Sequence, residues 1–159
     1  MVFQIIGFLG LIIGIILAKK FRNELKDIKN FIKIISFITI SGIIIRLILS
    51  ANFSLMFFVG LLIGLITNYF IKNNYLYYGS SLMLASSMHI NDEILFSILI
   101  FILGLTQSAL KKINRKFLLI SLILFALPFT FLLTNLNYGG FIIGFSIGGL
   151  AIGINQFNK

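Results

Sequence analysis

Seven runs of apolar residues occupy almost the whole chain, and the stretches between them are too short to form a soluble domain. A helix needs about 20 apolar residues to cross the hydrocarbon core of a bilayer, with roughly 17 as a lower limit. The sequence therefore predicts an all-α, polytopic integral membrane bundle of about seven short transmembrane helices, forming a single membrane domain over 1–159. The predicted spans are 2–18, 31–50, 54–71, 75–90, 94–110, 117–134 and 138–155.

The fourth run, "YLYYGSSLMLASSMHI" at 75–90, is the weakest of the seven. Its sixteen residues extend only about 24 Å as a helix, and four of them are serines. It is either a short crossing or a re-entrant segment, which gives six or seven spans. A re-entrant segment would move the basic loop 111–116 to the outside, so the charge pattern favours a crossing.

The basic residues follow the predicted loops. There are thirteen Lys and Arg residues against four acidic ones, a net charge of +9. Twelve of the thirteen fall on one side of the membrane if every run crosses it, in 19–33, at 72, in 111–116 and at 159. The positive-inside rule then predicts an external N-terminus and a cytoplasmic C-terminus, in the cell membrane. Because the charge is explained by orientation, nucleic acid is not expected as a partner.

Small residues recur at four-residue intervals in four of the predicted helices. This spacing places them on one face, where helix backbones can approach each other closely in lipid. The stripes predict packing faces, and partner contact or pore lining are the alternatives for the last helix. The predicted packing residues are Gly10, Gly14, Gly60, Gly64, Gly104, Gly140, Gly144 and Gly148.

Polar groups within the predicted spans are the candidate solute or ion contacts: Arg46, Asn68, Gln107, Ser80 and Ser81. Arg46 either extends to the headgroups or faces the bundle as an anion or substrate anchor. No acidic residue lies within the predicted runs to pair with it. For Asn68 and Gln107, which lie near helix ends, interhelical hydrogen bonding or interfacial anchoring is favoured. The lack of intramembrane carboxylates disfavours a carboxylate-relay ion pump.

Catalytic machinery is not recognisable. The chain has no cysteine, which excludes thiolate metal sites and cysteine nucleophiles. His89, Asp92 and Glu93 in "HINDE" make a poor metal site and are predicted to form an exposed turn. Neither a serine hydrolase elbow nor a metal-dependent phosphotransfer cluster is present. Neither an enzyme activity, a metal nor a cofactor is therefore expected.

Two local features modify this simple bundle. In 19–33, Phe21, Leu25, Ile28 and Ile32 share one face, which predicts an amphipathic helix that lies on the inner membrane surface or docks a partner. Pro128 is expected to kink the sixth span and to leave a carbonyl group that needs another partner, such as a threonine hydroxyl.

These observations favour a small permease or channel-like transport component for an unidentified small solute. The competing hypothesis is a non-catalytic membrane subunit of a larger complex, and the third is a membrane-embedded enzyme that modifies lipid. Besides the lipid bilayer, the expected partners are further copies of the chain or other membrane subunits, since one small bundle encloses little space.

Overall fold

The computed structural model describes residues 2–21, 24–87, 90–110, 115–133 and 139–155, and the regular structure within them is entirely helical. This confirms the predicted all-α class. The elements are α1 (Val2–Lys20), α2 (Glu24–Asp27), α3 (Lys29–Leu49), α4 (Leu55–Ile71), α5 (Tyr75–Ser86), α6 (Ile90–Leu110), α7 (Arg115–Ala126), a 3₁₀ segment (Leu127–Leu133) and α8 (Gly139–Asn155).

Three helices are long and apolar enough to cross a bilayer: Phe3–Lys20 in α1, Lys29–Leu49 in α3 and Ile90–Leu110 in α6. The 21 residues of α3 or α6 rise about 31 Å, close to the roughly 30 Å of a hydrocarbon core. Helix α4, helix α8 and the segment Lys116–Thr130 are apolar but shorter. The protein is therefore helical and suited to membrane association.

The distribution of polarity is the reverse of that in a soluble protein. Large apolar side chains cover the outer surface, and α4 alone exposes Leu55, Phe58, Leu62, Ile66 and Phe70. Several polar side chains are instead buried: Ser36, Asn68, Asn73, Asn74, Ser80, Ser81, Ser97, Gln107, Ser108, Ser121 and Ser146. Exposed apolar patches of this extent are unfavourable in water and compatible with hydrocarbon. The surface therefore supports membrane association independently of helix length.

Helices α4 and α8 form one closely packed pair. A methyl group added to Gly60 would overlap the backbone carbonyl of Phe141, and one added to Gly64 would overlap that of Phe145. In return, Gly144 lies against the Phe57 carbonyl. Because the contacts advance in the same direction along both chains, the helices are parallel. Helices in lipid associate through close packing rather than the hydrophobic effect, so the missing side chains permit this contact.

Helices α1 and α6 form a second parallel pair. Gly10 lies against the backbone of Phe101, and Gly104 lies against Gly10 and Leu11. A methyl group on Gly14 would come within 2.8 Å of the Ser108 side chain. Gly148 lies similarly close to the Leu61 carbonyl in the first pair. A methyl on Gly140 would come no closer than 3.2 Å to the described atoms of other segments, its nearest neighbour being the Ser54 hydroxyl. Among the predicted packing glycines, Gly140 is therefore the least constrained.

Helix α5 is enclosed by the other helices. Every residue from Tyr75 to Ala85 is buried, against α6, α7 and α8. Its 12 residues rise only about 18 Å, so the helix ends well short of a hydrocarbon thickness. Helix α5 stops at Ser86, before the end of the predicted run 75–90, and His89 lies outside the described residues.

The apolar spacing of 19–33 predicts one amphipathic helix, and the described residues of this segment lie in or between three successive helices. Helix α1 continues to Lys20, α2 covers Glu24–Asp27, and Ile28 separates α2 from α3. Ile32 is buried within the bundle, whereas Ile28 is exposed. The apolar stripe is divided because Ile32 belongs to a helix that enters the bundle, so its side chain is not available for the membrane surface.

Candidate functional site

Polar side chains converge where α5 begins, and they tie neighbouring helices together. Asn68 on α4 donates from Nδ2 to the Gly149 carbonyl on α8, and to Oδ1 of Asn74 at 3.2 Å. Gln107 on α6 donates from Nε2 to the Tyr78 hydroxyl at 2.5 Å. Both side chains are buried. Asn68 and Gln107 therefore act here as interhelical hydrogen-bonding residues.

Three further hydrogen bonds reinforce this end of the bundle. Asn73 Nδ2 donates to the Ser121 hydroxyl of α7 at 3.2 Å, and its Oδ1 accepts the backbone N–H of Tyr75 at 3.0 Å. The Tyr77 hydroxyl donates to the Gly64 carbonyl at 3.3 Å. These bonds connect α5 to α4 and α7. They also satisfy polar groups whose burial would be costly without a hydrogen-bond partner.

Ser80 and Ser81 follow each other on α5 but have different surroundings. Both hydroxyls lie within hydrogen-bond distance of the Tyr77 carbonyl, at 3.0 and 2.7 Å respectively. Ser80 Oγ also lies 2.7 Å from Ser146 Oγ on α8, and Ser146 donates to the Ile142 carbonyl at 2.9 Å. Ser80 lines a cavity and Ser81 does not. The two serines are therefore not equivalent candidates for ligand contact.

The cavity beside Ser80 has a volume of about 540 Å³, which lies in the usual range for a small-molecule site. It is bounded by the first halves of α4 and α8, by α5 and by the 3₁₀ segment. Its lining residues are Met56, Val59, Leu76, Ser80, Met83, Leu127, Pro128, Phe141, Ile142 and Phe145. Apart from Ser80, these lining side chains are apolar, so the cavity is suited to a hydrocarbon ligand.

Pro128 lies in the wall of this cavity. The α-helical conformation of α7 ends at Ala126 and is followed by a 3₁₀ helix from Leu127. This change agrees with the inability of proline to donate the next helical hydrogen bond. The Thr130 hydroxyl donates to the Leu127 carbonyl at 2.7 Å. A change to 3₁₀ geometry within a helical span often marks a hinge or local strain.

Arg46 lies away from the other sequence-predicted contacts, at the end of α3. Its Nε and Nη2 donate to Oδ1 of Asp92 at 2.8 and 2.6 Å. The sequence offers no acidic residue within the predicted runs to pair with Arg46, and the partner in the structure is Asp92, which lies between the predicted runs 75–90 and 94–110. Asp92 is buried in the first turn of α6 rather than exposed in a turn. An ionised carboxylate at this position is stabilised by the guanidinium and by the positive end of the helix dipole.

The five predicted contact residues therefore do not form one site. Asn68 and Gln107 lie beside the start of α5, and Arg46 lies in the last turn of α3. Ser80 lines the cavity, whereas Ser81 bonds the Tyr77 carbonyl and is not among the lining residues. Within the described residues, no group of three His, Asp or Glu side chains is arranged to hold a metal ion. The chain matches no family model, no curated protein and no solved structure.

Proposed function

We propose that this chain is a small multi-pass membrane protein that acts in transport, and that it binds an apolar solute in the cavity between α4, α5, α8 and the 3₁₀ segment. The cavity is the observation that carries this proposal. Its apolar lining and its volume of about 540 Å³ fit a hydrocarbon body, whereas Asn68, Asn73 and Gln107 elsewhere in the bundle already donate to other groups of the protein.

The cavity residues also indicate how a solute enters. Met56 and Val59 on α4 and Leu127 in the 3₁₀ segment both line the cavity and remain exposed on the outer surface, by 56%, 39% and 44%. In a membrane this surface is in contact with acyl chains. Entry is therefore from the bilayer, between α4 and the 3₁₀ segment, with no passage through an aqueous pore.

The two sides of this entrance differ in their capacity to move. On one side, α4 is packed against α8 through backbone contacts at Gly60 and Gly144. On the other, the helix changes geometry at Leu127 and contains Pro128. Interrupted helices frequently adjoin substrate sites in transporters, because the interruption permits a local change of shape. We assign the mobile wall to the 3₁₀ segment.

Filling the cavity tests this proposal. In nanodiscs, a diazirine-bearing alkane should label wild-type cavity residues such as Met56 and Met83, as located by mass spectrometry. In Val59→Trp that labelling should fall several-fold, because the indole occupies the entrance. Leu62→Trp is the matched control, since Leu62 is 58% exposed on the same helix and does not line the cavity. Labelling spread evenly over the lipid-facing helices of the wild type, unaffected by Val59→Trp, would contradict the proposal.

Transport itself requires a second measurement. Proteoliposomes containing the wild-type chain should exchange a fluorescent alkyl solute between leaflets or vesicles faster than protein-free liposomes. Val59→Trp should abolish the difference and Leu62→Trp should retain it. Binding without accelerated exchange would restrict the function to binding.

A non-catalytic membrane subunit remains the second candidate, and the burial of α5 favours it. Eleven consecutive residues of this helix fill the centre of the bundle, so the described residues leave no polar path along its axis. Native mass spectrometry of the gently solubilised protein distinguishes the two. Recovery alone or as a homo-oligomer supports a self-sufficient transporter, whereas stoichiometric foreign subunits support a component of a complex.

A further inference from the structure

We infer that the ligand of this cavity is an uncharged amphiphile with a hydrocarbon body and one hydroxyl group, of the long-chain alcohol class, and that its hydroxyl donates to Ser80 Oγ. This inference rests on the proposed function, because it specifies the chemistry of the same cavity. The inference depends on which acceptors the hydroxyl protons of Ser80 and Ser146 are donated to.

Each serine hydroxyl has one proton to donate and two lone pairs that accept. Ser146 is close to the Ile142 carbonyl and to Ser80, while Ser80 is close to the Tyr77 carbonyl and to Ser146. If Ser146 donates to Ile142, Ser80 donates to Ser146 or to Tyr77. If Ser146 donates to Ser80, Ser80 donates to Tyr77. In each arrangement both protons are taken by acceptors of the protein.

The remaining hydrogen-bonding capacity of Ser80 is therefore that of an acceptor. Ser80 contributes the only polar side chain among the described lining residues. A ligand ester or ketone would bring another acceptor, and Ser80 could donate to it only by giving up its own hydrogen bond to a protein acceptor. A carboxylate or ammonium group would enter an apolar cavity without a counterion, which is strongly unfavourable. A hydroxyl group has the required proton and no charge.

Burial limits the polar contact to a single group. Ser80 and Ser146 are both almost completely inaccessible, at 2% and 0%, so only a small group can contact Ser80 from the cavity. The surrounding wall of Val59, Met83 and Phe145 then holds the hydrocarbon part. A primary or allylic alcohol at the end of a long chain satisfies both conditions.

Competition binding tests this assignment. Hexadecanol, hexadecane and methyl hexadecanoate should each compete with the diazirine alkane for the wild-type protein in nanodiscs, at matched bilayer concentrations. One hydrogen bond in an apolar site predicts that the alcohol competes roughly two- to tenfold better than the ester. Ser80→Ala should reduce that ratio to one while the alkane still competes.

Two matched variants locate the effect. Ser81→Ala removes a buried hydroxyl bonded to the same Tyr77 carbonyl but does not alter the cavity lining, so the alcohol preference should persist. It should also persist in Ser146→Ala, where Ser80 can still donate to Tyr77 and accept from the ligand. The comparison of ratios removes differences in partitioning between probes, since these are the same for every variant.

The outcomes separate the inference from the function on which it rests. A wild-type ratio of one, or a preference that survives Ser80→Ala, overturns the assignment of the alcohol and leaves the apolar site intact. Failure of all three compounds to compete overturns the proposed function and the assignment together.

Discussion

Arg46 and Asp92 illustrate how a charge is accommodated near the end of an apolar helix. Charged groups in membrane segments are costly and usually bond to each other or face a polar surface. Here two N–H groups of one guanidinium reach the same carboxylate oxygen. The side chain of Arg46 is 39% exposed and that of Asp92 only 10%. Loss of Arg46 would therefore leave the more deeply buried charge without its partner.

Asp92→Asn should lower the stability of the protein by about 1–2 kcal/mol, because the charge-assisted hydrogen bonds are weakened while Arg46 keeps its charge. The cost stays below that of a fully buried pair because Arg46 is partly exposed. Thermal unfolding in detergent measures the change. Glu93→Gln is the control, since Glu93 makes no ion pair with any described residue. Equal shifts for the two variants would show that the pair has no specific effect.

The sequence identified the need of Arg46 for a partner but not the partner itself. Asp92 precedes the predicted span 94–110, so the sequence alone places it in an exposed turn. The structure starts α6 at Ile90, which moves Asp92 into the helix. Nothing in the local sequence connects positions 46 and 92, because their contact depends on how α3 and α6 pack.

At the scale of the helices, the two parallel pairs share a sequence pattern. The first member of each pair carries "GLIIG" at 10–14 or "GLLIG" at 60–64. The second member carries "FILG" at 101–104 or "FIIG" at 141–144. In both pairs a glycine of the first helix lies against the backbone carbonyl of that phenylalanine. Spacing alone predicts which helices carry a glycine face, but it does not predict which two faces meet.

Substitution by alanine should affect protein stability differently at two glycines, Gly144 and Gly42. Gly144→Ala places a methyl group against the Phe57 carbonyl, so α4 and α8 must separate, and we expect a loss of about 1–3 kcal/mol. Gly42 in α3 has no atom within 4 Å of an added methyl. Gly42→Ala should therefore be neutral or stabilising by up to about 1 kcal/mol through helix propensity.

Unfolding of both variants under identical detergent conditions measures the contrast. Destabilisation of Gly144→Ala together with an unchanged or raised transition for Gly42→Ala would support close backbone packing as the cause. Equal destabilisation by both substitutions would indicate a general sensitivity of the bundle to added volume.

Helix α5 and the cavity mark the limit of prediction from sequence at this scale. The run 75–90 is polar and short, which indicates an unusual span, and the burial of Tyr75 to Ala85 supplies the physical reason. No comparable feature of the sequence indicates the cavity. Val59 and Met83 line it, yet in the sequence they are indistinguishable from apolar residues that face lipid or pack in a core. Only the relative positions of four elements create the space.

For the whole molecule, interhelical contacts establish the direction of each helix. Helices α3 and α6 are antiparallel, since the end of α3 meets the start of α6 at Arg46 and Asp92. Helices α5 and α8 are antiparallel, since Ser80 meets Ser146 while Tyr77, earlier in α5, lies against Gly149, later in α8. With the two parallel pairs, these contacts gather the described lysines at one end of the bundle. They include Lys19, Lys20, Lys29, Lys33, Lys72 and Lys116.

Concentration of lysines at one end supports the proposal that this end faces the cytoplasm and that seven segments cross the membrane. The absence of cysteine from the chain permits a direct test, because each introduced cysteine is the sole labelling site. Lys72→Cys and Lys116→Cys should react with an impermeant maleimide only after the cells are permeabilised. Asn52→Cys and Asn91→Cys, both at exposed positions, should react in intact cells.

The four positions together discriminate between topologies, because they flank α5 on both sides along the chain. If α5 does not take the chain across the membrane, Asn91 moves to the side of Lys72, and Lys116 moves to the outside. Intact cells would then label Lys116→Cys and spare Asn91→Cys. That result would conflict with the helix directions, since Gln107 near the end of α6 bonds Tyr78 near the start of α5. The labelling therefore tests the seven-span orientation and the arrangement of the bundle at the same time.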